Sequence, residues 1–336
     1  MSENKTNKIG LFIMFFVIIG YLLYPYAVNG TSSIVTNITT IIYFFAFPMS
    51  AYFFGMKSRE KNINTKNLLI YTIVLNFLLY AFKIQNSLLE PNCIISFMVA
   101  LVIWSLISKY FNKIIFIPIC FIVSALIGFI KEVNVFLSLS FIISLFPFFL
   151  IGNNVKIDIK INEKIKKVIG VLLFISTIVG VMYIIKNFYV SFNILTLFPY
   201  ESKKHMIFRL GYFFISCMMI VAINLLFNNK ENKLINYFGK NSIHIYSLIP
   251  ITAILFNLLI KVDQLYIVYA SIASILTIVI FGNDILQKAI RIVTCKIKYQ
   301  NIIICILICI SLFINALPSL KINYVQDTMY PRMKQQ

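Results

Sequence analysis

The sequence predicts an all-α fold, a polytopic membrane bundle of about ten or eleven transmembrane helices. Three observations carry that prediction. Of the 336 residues 60% are hydrophobic and only 12% are charged, and the mean hydropathy is +0.90, so the polar surface that a water-soluble globule needs is missing. The apolar residues gather into eleven runs, each near the ~20 residues that cross a bilayer. The charges fall in the short segments between them.

The runs cover 9–28, 38–56, 67–83, 93–108, 114–130, 135–152, 167–185, 206–227, 242–260, 264–282 and 301–318. Each reads as a helix, because backbone exposed to lipid must satisfy its own hydrogen bonds. The first run follows Lys5 and Lys8 in the manner of a signal peptide. It is too long for one, and no small-residue cleavage pattern follows, so it is read as the first helix. Residues 1–320 form one transmembrane domain and 321–336 a short polar tail.

With the loops assigned alternately to two sides from the N-terminus, 20 of the 30 Lys and Arg residues lie on the N-terminal side and 10 on the other. That asymmetry predicts a cytoplasmic membrane protein with its N-terminus inside and, for an odd number of spans, its C-terminus outside. The stretch "DILQKAIRIVTCKIKYQ" is basic and amphipathic and suits the inner surface. Topology also accounts for the net charge of +19. The basic residues form no stripe interleaved with aromatics, which argues against a nucleic-acid partner.

The six cysteines, Cys93, Cys120, Cys217, Cys295, Cys305 and Cys309, contain no CxxC and lie in or beside apolar runs, implying neither a disulfide framework nor a metal site. Pro48 stands in the middle of the uncharged stretch "IYFFAFPMSAYFFG". Proline removes a backbone donor, and a membrane helix tolerates it where neighbours satisfy the freed carbonyl. Pro48 is expected to kink a helix packed against others, with Ala51 and Gly55 allowing close approach.

Four stretches in order resemble the acyltransferase-3 family of integral-membrane O-acyltransferases, in its fucose-4-O-acetylase-like branch. "IYFFAFPMSAYFFG" is similar to the family's I-Y-x-F-H-M-P-x-F-x-x-x-S-G, and "SFMVALVIWSLI" to its W-F-L-x-x-L segment. "LSLSFIISLFPFFLIG" resembles L-S-R-T-x-x-F-x-P-F-F-L-x-G, and "FGKNSIHIYSLIP" resembles G-x-x-[ST]-L-x-[IV]-Y-L-L-H. The resemblance covers about residues 8–290 and retains the scaffold positions Pro48, Gly55, Pro147, Gly152, Gly239 and Ser242, together with Phe148, Phe149 and Tyr246.

The family's polar groups are replaced. Tyr21 stands where the histidine closing the first helix is expected, with Gly10 at the basic position eleven residues earlier. Ala46 takes the second-helix histidine, Ser96 the tryptophan, Phe141 the arginine before P-F-F, and Ile249 the closing histidine. These losses bear on chemistry. Acyl transfer to a sugar hydroxyl needs a base that titrates near neutrality, which histidine supplies and tyrosine, at about 10, does not. Tyr21 and Ala46 are expected to border one internal, weakly polar cavity.

Two histidines are present in the chain. His205 precedes the eighth span in "ESKKHMIFRLG", where Glu201, Lys203, Lys204 and Arg209 could complete an acid/base cluster or a solvated loop. His244 suits interfacial packing. Arg209 suits an anchor at the membrane boundary or a substrate contact, and Lys131 and Glu132 suit interface charges. His205, Arg209, Tyr21 and Tyr246 are the candidates for catalysis.

The resemblance implies O-acylation, in particular O-acetylation, of a cell-surface glycan or its lipid-linked precursor. Acyl-CoA (acetyl-CoA) would be the donor, with no bound cofactor. The alternative is a catalytically inactive paralogue serving as a binding or assembly component of surface-polysaccharide machinery. A transporter or flippase is a third reading, against which stands the near absence of charge within the spans.

Overall fold

A computed structural model describes residues 3–28, 32–60, 65–81, 93–130, 138–157, 161–187, 200, 204–229, 231–259 and 265–284. They form an all-α bundle. In chain order the helices are α1 (Glu3–Val28), α2 (Ser33–Glu60), α3 (Thr65–Ala81), α4 (Cys93–Ile107), α5 (Phe116–Leu126, extended by a 3-10 turn Ile127–Phe129) and α6 (Leu139–Asn154). They continue as α7 (Glu163–Asn187), α8 (Lys204–Leu226), α9 (Lys233–Gly239), α10 (Ser242–Leu259) and α11 (Tyr266–Phe281).

Ten of the eleven apolar runs each became one helix. The run at 301–318, the basic stretch after Asp284 and the C-terminal tail lie outside the described residues, as do Lys131, Glu132, Glu201 and Lys203. Helix α9 is an addition to the expected set. Its seven residues are too short and too polar to register as a span, yet Asn232 caps it by accepting a hydrogen bond from the Ile235 amide at 3.2 Å, as an N-cap asparagine does.

Four helices, α1, α2, α7 and α8, are long and apolar enough to cross a membrane. The outside of the bundle is apolar too. Leu172, Ile175 and Val179 on α7, Ile207 and Phe214 on α8, and Ile272 and Leu276 on α11 are all exposed. In water such a surface would aggregate, whereas in lipid it is the favourable one.

Helix α2 is the centre, packed along α1, α6 and α8. Its crossing with α6 is made by two glycines facing each other. A Cβ on Gly55 would sit 2.1 Å from Phe149 O, and one on Gly152 would sit 2.0 Å from Tyr52 O. Backbone therefore touches backbone, the close approach that small residues permit where no hydrophobic effect drives helices together. Gly55 meets the expectation of a small residue against a neighbouring helix, and Ala51 on the same helix is fully buried.

The prolines explain two further contacts. Helix α2 is unbroken across Pro48, which withholds the amide that would have bonded the carbonyl four residues earlier, Phe44 O. Ser216 Oγ of α8 donates to that carbonyl at 2.9 Å. Helix α6 repeats the arrangement: Pro147 frees Ile143 O, and Ser124 Oγ of α5 donates to it at 2.9 Å. Next to it, the indole N–H of Trp104 donates to Ile142 O at 3.1 Å.

The ends of the bundle are tied by polar contacts. At one end Lys57 donates to Asn7 Oδ1 (2.6 Å), Thr6 to Glu60 (2.5 Å), Lys8 to Asn228 Oδ1 (3.0 Å) and Asn236 to Asn4 (2.7 Å). Arg59 donates to Val155 O at 2.9 Å, placing a cation at the carbonyl end of α6. Asn241 bonds both Gly282 O and Asp284 at 2.8 Å. This end gathers the start of α1, the end of α2 at 57–60, the start of α3, the 108–115 segment, the C-terminal ends of α6, α8 and α11, and α9. They are the segments that the alternating assignment put on the lysine-rich side.

Candidate functional site

Helices α1 and α2 run antiparallel and hold the first pair of candidate positions. Gly10 opposes Phe53, whose ring lies 2.3 Å from where a Cβ would stand; Phe16 meets Phe45 edge-on (5.7 Å), and Gly20 faces Ile42 and Tyr43. Phe53 thus fills the space beside the position where the family resemblance expects a basic side chain. Tyr21 and Ala46 are both buried in this helix pair. The register sets Tyr21 level with Ile42, so the two stand about one helical turn, roughly 6 Å, apart along α2.

The second group of positions falls in an aromatic cluster. Phe141 packs against Phe47 (5.2 Å) and Phe97 (6.4 Å), and Tyr246 lies on Phe97 (4.7 Å) and edge-on to Phe54 (5.8 Å). Trp104 meets Phe97 at 5.6 Å. Ile249 is fully buried. Ring pairs of this kind contribute about 0.5–1.5 kcal/mol each beyond their burial. Ser96 donates to Ser138 Oγ at 3.0 Å, and Ser138, at φ 53°, starts α6 in a left-handed conformation.

Gly239 packs at the lysine-rich end, where a Cβ would lie 2.6 Å from Asn7 O. Ser242, buried beside it, begins α10.

The histidines are far apart. His205 lies in the first turn of α8 rather than in the loop before it, because the helix begins at Lys204. His244 lies in the first turn of α10, next to Gly239 and the Asn7 end of the bundle. The other end of α8 reaches Asn228, which bonds Lys8, so the 23 residues of α8 separate the histidines by about 35 Å. They cannot act on one substrate atom together.

His205 shares a helix face with Arg209, four residues on. Arg209 is fully buried. Its guanidinium lies over the Tyr200 ring at 4.4 Å, and Nη1 approaches Ser124 O at 3.4 Å. Tyr200 is held in turn: its hydroxyl donates to Ala125 O at 2.7 Å, its amide to Gly128 O at 2.6 Å, and its ring packs where Gly128 has no side chain. Burial pushes the Tyr200 hydroxyl upward in pKa, with the Arg209 charge pulling it back. The buried ring of Tyr212 stands one turn along from Arg209, against Phe44. This cluster fastens α8 to α5 through a charge, a ring and backbone carbonyls.

Tyr200, Ser124 and Ser216 are the residues that sequence reasoning missed. The two prolines were a usable signal, since each names the carbonyl it frees. The identity of the donor was not, because it comes from a helix far along the chain. Among the described residues no group of three or more His, Cys, Asp or Glu could hold a metal ion.

The fold and its apolar helices define an all-α bundle of the kind that membranes accommodate. No protein-family model, curated protein or solved structure matches the chain.

Proposed function

We propose that the chain is a multi-pass protein of a bacterial cytoplasmic membrane, N-terminus inside, built on an acyltransferase-3-like frame. In this reading it serves as a non-catalytic binding or assembly component of machinery that O-acylates a cell-surface glycan or its lipid-linked precursor. One observation carries the non-catalytic reading: the positions where the resemblance expects polar side chains are packed with rings, Phe141 against Phe47 and Phe97 and Phe53 against Gly10. The two histidines meanwhile stand at opposite ends of the bundle, His205 on α8 and His244 on α10. Without a group that titrates near neutrality beside them, those positions give no route for a hydroxyl proton.

A second reading, an active O-acetyltransferase drawing acetyl-CoA from the cytoplasm, is favoured by one feature, the buried charge of Arg209 inside a span. Buried membrane charges are costly and mark function more often than elsewhere. The two readings separate in a complementation experiment. A strain lacking the gene is complemented with the His205→Ala/His244→Ala double variant, and acetyl groups on the surface glycan are measured by NMR. The non-catalytic reading expects full complementation and no acetyl transfer from acetyl-CoA by the purified protein. A folded double variant that fails to complement, or transfer by the purified parent, would install the enzyme instead.

Reporter fusions test the topology. Fusions after Lys61 and Lys164 are expected to report the cytoplasm, and one after the final span the exterior. An exterior signal at Lys164 would overturn the sidedness.

A further inference from the structure

The turn between α4 and α5 is rigid, basic and apolar at once. Four backbone hydrogen bonds hold it: Tyr110 to Ile107 O, Phe111 to Ser108 O, Phe116 to Lys113 O and Ile117 to Ile114 O, all between 2.9 and 3.1 Å. Its middle is pinned from α6, where Asn154 Nδ2 donates to Phe111 O at 2.8 Å, and from below, where Phe111 packs on Phe116 and Phe146. Outside this frame the turn presents Lys109 and Lys113, both exposed, beside Tyr110 at 79%, Ile114 at 65% and Ile115 at 63% exposure. The segment 93–130 contains no Asp or Glu, and these lysines are its two charges.

A solvated loop does not hold large apolar side chains outward on a fixed backbone. In a turn between two apolar helices, the same side chains sit at headgroup depth. Ile114 and Ile115 meet the acyl boundary, Tyr110 meets the interface that aromatic rings favour, and two ammonium groups stand where lipid phosphates lie. We propose that this turn is a binding surface for anionic phospholipid, with Lys109 and Lys113 contacting the headgroup phosphate and Ile114 and Ile115 the acyl chains. The charge balance selects the occupant: two cations with no carboxylate in the segment discriminate an anionic lipid from a zwitterionic one. The proposal rests on the membrane setting and is independent of whether the protein catalyses.

The test uses the full chain with Tyr110→Trp as a fluorescent reporter, read as the difference from the parent with its one buried tryptophan, Trp104, and reconstituted in phosphatidylcholine vesicles containing brominated phosphatidylglycerol or brominated phosphatidylcholine at equal mole fraction. Brominated phosphatidylglycerol should bind at the reporter about tenfold better than brominated phosphatidylcholine, since each lysine near the surface contributes a several-fold preference for anionic lipid. In the Lys109→Gln/Lys113→Gln variant the two lipids should quench alike. Raising salt should weaken the preference, and inorganic phosphate at fixed ionic strength should leave it unchanged. Equal quenching by both lipids in the lysine-containing protein would overturn the proposal. So would a preference that survives loss of both lysines, or displacement by inorganic phosphate, which would assign the site to a soluble anion.

Discussion

Gly55→Ala and Gly152→Ala are expected to destabilise the protein by about 3 kcal/mol each, at the upper end of what overpacking costs, whereas Gly180→Ala and Gly211→Ala will be neutral or stabilising. All four changes add one methyl group to a helix. The difference lies in what it meets. At Gly55 and Gly152 the new carbon would stand 2.1 and 2.0 Å from a backbone oxygen of the facing helix. No rotamer can move a backbone atom, so α2 and α6 must separate along their whole crossing. At Gly180 and Gly211 nothing lies within 4 Å, and alanine is worth about 0.5–1 kcal/mol over glycine within a helix. Thermal unfolding of the four variants in detergent measures the contrast. Equal tolerance at all four would mean that α2 and α6 do not meet through their glycines.

Ser216→Ala should cost about 1 kcal/mol, in the range measured for hydrogen bonds inside membrane proteins, and that cost should vanish when Pro48 is also replaced by alanine. In the parent, Ser216 Oγ reaches Phe44 O at 2.9 Å and its own Tyr212 O at 2.7 Å. Removing the hydroxyl takes from Phe44 O the donor that stands in for the amide proline lacks. Pro48→Ala restores an amide on the same helix, and the serine becomes redundant. The same cycle at Ser124 and Pro147 should behave alike, because Ser124 joins Ile143 O at 2.9 Å and its own Cys120 O at 2.6 Å. Additive double mutants would show that the serines do not act through the prolines.

Much of this architecture was legible in the sequence, for a physical reason. A membrane helix announces itself by length and apolarity alone, so ten of the runs gave their helices to within about six residues. Pro48 and Gly55 pointed to close packing because each removes something, a donor or a side chain, that must be compensated, whereas Gly152 was marked only as a position the resemblance retains. The compensating residues were hidden. Ser124 and Ser216 are two ordinary serines in apolar helices until the fold brings them beside Ile143 and Phe44. Helix α9 was hidden differently: its stability comes from Gly239 against Asn7 and Asn236 against Asn4, contacts with the start of the chain that no local pattern encodes. The resemblance named a set of positions, but not the rings that pack against them. That Phe53 answers Gly10 follows from the antiparallel register of α1 and α2.

The two proline carbonyls also differ in when they can be satisfied during synthesis. Ser124 precedes Ile143 by 19 residues, so the donor for α6 is already synthesised when α6 emerges. Phe44 must wait for Ser216, 172 residues later, which at ribosomal rates of 5–20 residues per second is roughly 9–34 s. For that interval, in the membrane setting proposed above, α2 carries an open carbonyl on its flank. A nascent chain cut short before α8 therefore exposes its weak point to quality-control proteases at Phe44, while the corresponding place on α6 is already closed.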